Sequence, residues 1–320
     1  KCKNKINMNL SKFKSEKEIL KLSIFSTIFL AILGLIFGLL ASSATIIFDS
    51  IYGMIDALMT ILALVVAKLI TASTSKDIVS NRLEKHFTMG FWHLEPIVLG
   101  VNGILLIGAS IYAFINAIDS ILLGGREIIF SYAIIITAIS IVVEITLGVF
   151  IRKANKDINS EFLKLDSISW LISASMSFAY LIAFGFGYFV KDGELSWITP
   201  FIDPFILIFV SILVIPMPFK TVKQALADIL LVTPSSLKNH VDIVAKNIVN
   251  KYKFDSFRAY VARVGRGRQI ELYFIVPKSW PAKRLEEWDM LRDEIEKDLG
   301  KEDPNLWLTI VFTTDFEWAE

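Results

Sequence analysis

Cysteine and histidine are nearly missing from this 320-residue sequence, which holds one Cys at position 2 and three His at 86, 93 and 240. A single thiol excludes an intramolecular disulfide framework, and so few soft donors exclude a structural zinc site of the Cys/His type. An excess of either charge is missing as well. The 33 Lys and Arg face 32 Asp and Glu, for a formal net charge of +1, which argues against a nucleic-acid surface. No nucleophile and base pair and no phosphate-binding loop is evident, so neither an enzyme nor a resident cofactor is expected. Apolar side chains are what the chain has in plenty: 54% of residues are hydrophobic and 20% charged, and the mean hydropathy is +0.57. Soluble domains usually hold roughly 45–50% apolar residues, so these values point to an integral membrane protein.

The apolar residues gather in six runs, at 24–40, 44–67, 96–118, 128–151, 168–190 and 197–218. Each is close to the roughly 20 residues with which a helix crosses a hydrocarbon core of about 30 Å. Helix is the expected form, because the bilayer offers no water to satisfy exposed backbone groups. The basic residues predict the orientation. They cluster before the first span (Lys1, Lys3, Lys5, Lys12, Lys14, Lys17), between the second and third (Lys76, Arg82, Lys85) and between the fourth and fifth (Arg152, Lys153, Lys156, Lys164). Both termini are therefore expected in the cytoplasm, in a protein of the cell membrane.

Three regions are expected: a cytoplasmic leader at 1–18, a six-helix transmembrane domain at 19–219 and a cytoplasmic domain at 220–320. After Pro216 and Pro218 the composition becomes that of a soluble domain. Val241, Val244, Ala245 and Ile248 share one face of a predicted helix at 237–252. Strands at 257–264 and 269–276 flank Gly265-Arg266-Gly267, a hairpin signal. A charged amphipathic helix at 282–299 and a β-branched, aromatic strand at 307–313 complete an α+β pattern with helices on one face of a small sheet. Its 14 basic and 15 acidic side chains from Ser235 onward give no sign of a nucleic-acid surface.

Ionisable residues at membrane depth are costly, so each is a functional candidate. Asp49 and Asp56 fall in the second span, Glu144 in the fourth and Asp166 at the inner end of the fifth, with His93 and Glu95 at the entrance to the third. Asp49, Tyr52 and Asp56 are spaced to share one helical face, and Asp166, Ser169 and Ser173 repeat that spacing. The segments 49–56 and 166–173 agree at four of eight positions, as a relic of internal duplication would. Two structural alternatives stand beside the functional one. Ser169, Ser173, Ser175 and Ser177 can serve as small residues that let helices approach, and a buried Glu144 can serve as a neutral hydrogen-bonding strut. His93 at a membrane boundary suits capping or packing as well as ligation.

The layout resembles the cation diffusion facilitator family, the zinc-transporter type of metal exporter, over nearly the whole chain. The second span is similar to the family's pattern at Asp49, Tyr52 and Asp56; the third opens on a family-like Gly90-Phe-Trp-His-Leu-Glu-Pro96. The sixth carries Asp203-Pro204, and 227–234 resembles the hinge into the family's cytoplasmic domain. The resemblance implies a homodimer with a midplane metal site between the second and fifth spans, and a ferredoxin-like cytoplasmic domain that aids dimerisation. It also implies exchange of a divalent cation for protons, which compete for the same carboxylate. The family's four ligands would fall on Tyr52, Asp56, Ser169 and Ser173. One carboxylate and three hydroxyls suit zinc poorly and a hard ion such as Mn²⁺ or Mg²⁺ better. Asp49, Glu144 and Asp166 are then proton-coupling or accessory groups. Two other functions stay open. Tyr52 and Trp170 could offer aromatic faces to an exported organic cation such as an amine, and the replaced ligands would also fit a non-transporting sensor or partner.

Overall fold

The computed structural model of the chain describes residues 16–74, 90–158, 160–300 and 305–320. The basic residues of the leader up to Lys14, and Lys76, Arg82, Lys85 and His86, lie outside the described residues. The chain forms two compact units, one of residues up to Ile61 with Asn102–Lys220, the other of Leu62–Val101 with Thr221–Glu320.

Among the described residues, six helical stretches are long and apolar enough to cross a membrane. They are α1 (Glu16–Ala41), α2 (Ala44–Thr74), α3 (Leu94–Leu122), α4 (Phe130–Ile158), α5 (Glu161–Val190) and α6 (Thr199–Val214), the last continued past a turn by α7 (Phe219–Ile229). The break between α6 and α7 falls at Pro216 and Pro218, which lack the N–H that a continuing helix needs. The sequence pattern placed the span's end there, but α7 itself went unread.

In the first unit, Ala113, Ala133, Ile136, Phe184 and Leu207 belong to one buried cluster. Large apolar side chains such as Phe25, Ile104, Val142, Ile182 and Phe209 are exposed, which a hydrocarbon solvent allows and water would not. α1 and α2 meet through Gly34 and Gly38. A Cβ on Gly34 would lie 2.3 Å from Ser50 Oγ, and one on Gly38 would lie 2.9 Å from Ile47 Cγ1.

The start of α2 is held by α6. Asp203, fully buried, accepts hydrogen bonds from Ser43 Oγ at 2.6 Å, Ala44 N at 2.9 Å and Thr45 N at 3.2 Å. Its carboxylate thus caps a helix N-terminus, where free N–H groups and the helix dipole favour a negative charge. Asp203→Ala is expected to destabilise the protein by about 2–3 kcal/mol, since it strands buried donors. Thermal unfolding in detergent micelles checks this, with a smaller loss expected for Asp203→Asn.

The second unit contains α8 (Ser235–Tyr252), β1 (Ser256–Val264), β2 (Gly267–Ile275), α9 (Leu285–Leu299) and β3 (Leu306–Thr313). β1 pairs antiparallel with β2, and β3 pairs parallel with β2 after the α9 crossover, giving the order β1-β2-β3. Ile270, Leu272 and Phe274 alternate onto one face of β2. They share a core with Val241, Ala245 and Ile248 of α8 and Leu291, Ile295 and Leu299 of α9, so both helices cover the same face. This is the expected α+β arrangement. α9 starts three residues later than the predicted 282, in a segment where Pro281 and an extended Arg284 precede the helix. Glu294 of α9 accepts hydrogen bonds from Lys251 Nζ and Tyr252 OH of α8, both at 2.7 Å. These donors hold its carboxyl below the ordinary glutamate range, so the link persists until the pH falls below that range.

The β1–β2 turn seats against the start of α3. Arg266 forks onto Glu95, with Nε to Oε2 and Nη2 to Oε1 both at 2.9 Å, and the Arg266 N–H adds a bond at 3.1 Å. Gly265 has φ +60°, and a Cβ on Gly267 would lie 2.6 Å from the Trp92 ring, so only glycine allows this approach. Arg263 Nε reaches Asp228 Oδ1 of α7 at 3.1 Å. The Glu95 and Arg266 side chains are 24% and 37% exposed, which limits even a bidentate pair to about 1 kcal/mol. A double-mutant cycle of Glu95→Gln and Arg266→Gln is expected to measure that coupling, and additive single effects would count against it.

Candidate functional site

A cavity of about 220 Å³ opens within the first unit, lined by α1, α2, α4 and α5. Three of these helices present polar residues at the same spacing. α2 offers Asp49, Tyr52 and Asp56; α4 offers Thr137, Ser140 and Glu144; α5 offers Asp166, Ser169 and Ser173, continued by Ser177 and Tyr180. Steps of three and four residues keep each set on one helical face. Eight of the residues singled out in the sequence therefore meet at one cavity: Asp49, Tyr52, Asp56, Glu144, Asp166, Ser169, Trp170 and Ser173. Among the described residues that line it there is no Lys, Arg or His. Its volume is many times the roughly 10–15 Å³ that one water requires.

The carboxylates are individually positioned. Asp56 has the Asn102 side chain of α3 within hydrogen-bonding reach. Asp166 Oδ1 accepts from Ser23 Oγ at 2.9 Å, and Ser23 Oγ in turn accepts from Trp170 Nε1 at 2.8 Å. That chain fixes α1 against α5 and leaves Asp166 Oδ2 without a partner. Glu144 has Ser177 within hydrogen-bonding reach. Tyr52 packs its ring 5.8 Å from that of Phe48.

Trp170 is 7% exposed and belongs to a cluster with Ile19, Leu147, Ile151 and Leu163. Its ring is committed to helix packing, which answers whether it faces lipid. Ser175 is turned away from the cavity, bonding Leu171 O at 2.9 Å. His240 is exposed on α8, and Glu95 serves the hairpin seat. Asn102, Ser23 and Tyr180 were missed in the sequence. A lone asparagine inside an apolar helix was the available signal for the first.

Among the described residues no three of His, Cys, Asp and Glu stand close enough to hold a metal ion. The donors that face the cavity are oxygens of carboxylates, hydroxyls and one phenol near Asp56, with a second phenol near Asp49. Such a surface can attract a hard cation and meet it through water, while the Met176 thioether is all that the lining residues offer to a soft one.

Residues 20–230 match the family described as the cation efflux transmembrane domain. No curated protein matches the chain in sequence.

Proposed function

The chain belongs to the cation efflux family and is an integral membrane protein of that transporter family; from this premise we propose that it exchanges a hard divalent cation for protons, with Asp56 at the centre of the substrate site. Tyr52, Ser169 and Ser173 supply hydroxyl oxygens around it, and Asn102 orients the carboxyl. The observation that carries this is the acidic cavity, where four carboxylates face each other with no basic side chain among the lining residues. A surface whose donors, Met176 aside, are oxygens favours Mn²⁺ or Mg²⁺ over Zn²⁺. Without three close His, Cys, Asp or Glu among the described residues, the cation enters partly hydrated, as Mg²⁺ in particular prefers. Proton exchange follows from the same chemistry, because a carboxylate that binds a proton gives up the metal. The protein works as a homodimer in this reading, with both termini cytoplasmic and the sheet unit of residues 221–320 contributing to the pairing.

The test is metal-stimulated proton flux by the full-length protein in liposomes. Flux with Mn²⁺ or Mg²⁺ is the expected result. No flux with Mn²⁺, Mg²⁺, Zn²⁺, Co²⁺ or Fe²⁺ would overturn the proposal.

A further inference from the structure

The four carboxylates of the cavity fall into two groups. Asp56 and Asp166 lie within electrostatic range of one another, beside the hydroxyls of Tyr52, Ser169 and Ser173. Asp49 sits two helical turns earlier on α2, and its electrostatic neighbours include Glu144 of α4 and Tyr180 of α5 as well as Tyr52 on its own helix. Glu144 and Tyr180 are 6% and 4% exposed, and both line the cavity. Each also holds a buried polar atom with no protein partner, Oε2 of Glu144 and the hydroxyl of Tyr180. Buried polar atoms are rarely left open, and these two, within electrostatic range of each other and of Asp49, mark the place of something they bind.

We propose that Glu144, Asp49 and Tyr180 form a second cation station, separate from the one at Asp56, which takes a small monovalent hard cation, a proton or Na⁺. The donor set decides the class. Two carboxylates, a phenol and the Ser177 hydroxyl are hard oxygen donors, and two carboxylates that share a site readily hold one small monovalent cation between them. No basic side chain among the lining residues settles the charge of Asp49 and Glu144. The groups that face Glu144 are Asp49, with Tyr52 and Asp56 beyond it, on α2, and Ser177 and Tyr180, with Asp166 further off, on α5; α1 adds only Thr27 and apolar or small residues. The other acidic neighbour of Tyr180, Asp203 of α6, is already committed to capping α2. In the transport cycle, which rests on the function proposed above, this station carries the counter-ion on the leg in which the Asp56 station holds no metal.

The station is testable with no divalent metal present. In metal-free detergent solution, proton uptake by the full-length protein is counted on lowering the pH from 9 to 5, and melting is followed as Na⁺ replaces choline at constant ionic strength. A proton occupant shows as about one proton fewer taken up by Glu144→Gln than by wild type, and a Na⁺ occupant as a Na⁺-dependent rise in melting temperature that the variant lacks. Tyr180→Phe, which keeps the ring, is expected to weaken either signal in the same direction. In liposomes, Glu144→Gln is expected to lose gradient-driven Mn²⁺ uptake by about tenfold or more while Mn²⁺/Mn²⁺ exchange falls by no more than about threefold. The absence of both a proton difference and a Na⁺ difference in the metal-free measurements would overturn the station and leave Glu144 a neutral strut. So would a parallel fall of both transport modes. A wild-type protein that moves no divalent metal sinks the transport proposal alone, since the metal-free measurements still decide the station.

Discussion

Asp56→Asn is expected to lower cation transport by about 100-fold or more while leaving the protein folded. The substitution keeps the volume and shape of the side chain and a group that can still meet Asn102, so the packing of α2 is unchanged. Only the charge is removed. At the Asp56 end of the cavity the donors besides Asp166 are the neutral hydroxyls of Tyr52, Ser169 and Ser173, and neutral oxygens compensate poorly for a lost carboxylate on a hard cation. Asp166 makes up only part of the loss, because its Oδ1 is engaged by Ser23, its position is fixed through Trp170, and only Oδ2 is left to a cation. Removing one of four like charges from a shared cavity relieves repulsion, so the melting temperature should hold or rise. Initial rates in liposomes beside thermal melting separate the two effects. Wild-type rates in the variant would remove Asp56 from the centre of the mechanism.

Spans and stripes were legible in the sequence because both are local. An apolar run of membrane length shows itself, and a polar stripe at steps of three and four residues shows which helix face it occupies. Asp49, Tyr52 and Asp56 needed no knowledge of other helices to be placed on one side. What no local pattern could supply is the partner of each group. Asp203 looked like one half of an Asp-Pro signature; its role is to cap a helix that starts 159 residues earlier. Glu95 looked like a membrane-depth carboxylate at the entrance to a span, and it pairs with Arg266, 171 residues away. Ser23 carries Asp166 and Trp170 together from a helix that also holds Ser26 and Thr27, where one serine attracts no notice. The stripe Thr137, Ser140 and Glu144 had the same spacing as the two that were read and, like the one at Asp166, a single carboxylate, but it lacked the sequence likeness that drew 49–56 and 166–173 together. Trp170 was ambiguous for a further reason: an aromatic beside a polar stripe satisfies lipid and cavity equally until the neighbouring helices are in place.

Gly34→Leu is expected to cost the protein its folded state, with a destabilisation of about 3 kcal/mol or more and loss of transport. Helices in a bilayer gain little by hiding apolar surface from lipid, so close approach of small residues supplies much of their attraction. α1 and α2 use Gly34 and Gly38 in this way. A Cβ at Gly34 would lie 2.3 Å from Ser50 Oγ, and Ser50 cannot simply turn aside. It is buried, and its hydroxyl donates to Ile46 O at 2.7 Å. At Gly38 the obstacle includes backbone, with Ile47 N at 3.1 Å, so α1 cannot slide along its neighbour to find room. A leucine at 34 therefore separates the two helices, and because Gly34 also lines the cavity, the side chain fills space that the cation requires. Gly34→Ala is expected to fall between wild type and leucine, since its methyl already meets the Ser50 hydroxyl. Gly108→Ala is the control: a Cβ there meets nothing within 4 Å, and in mid-helix α3 the change should be neutral or stabilising by up to about 1 kcal/mol. Melting curves and the yield of monodisperse protein report all three. If Gly34→Leu melts with the wild type while Gly108→Ala does too, α1 and α2 do not depend on that contact, and the wall it gives the cavity is not fixed by glycine.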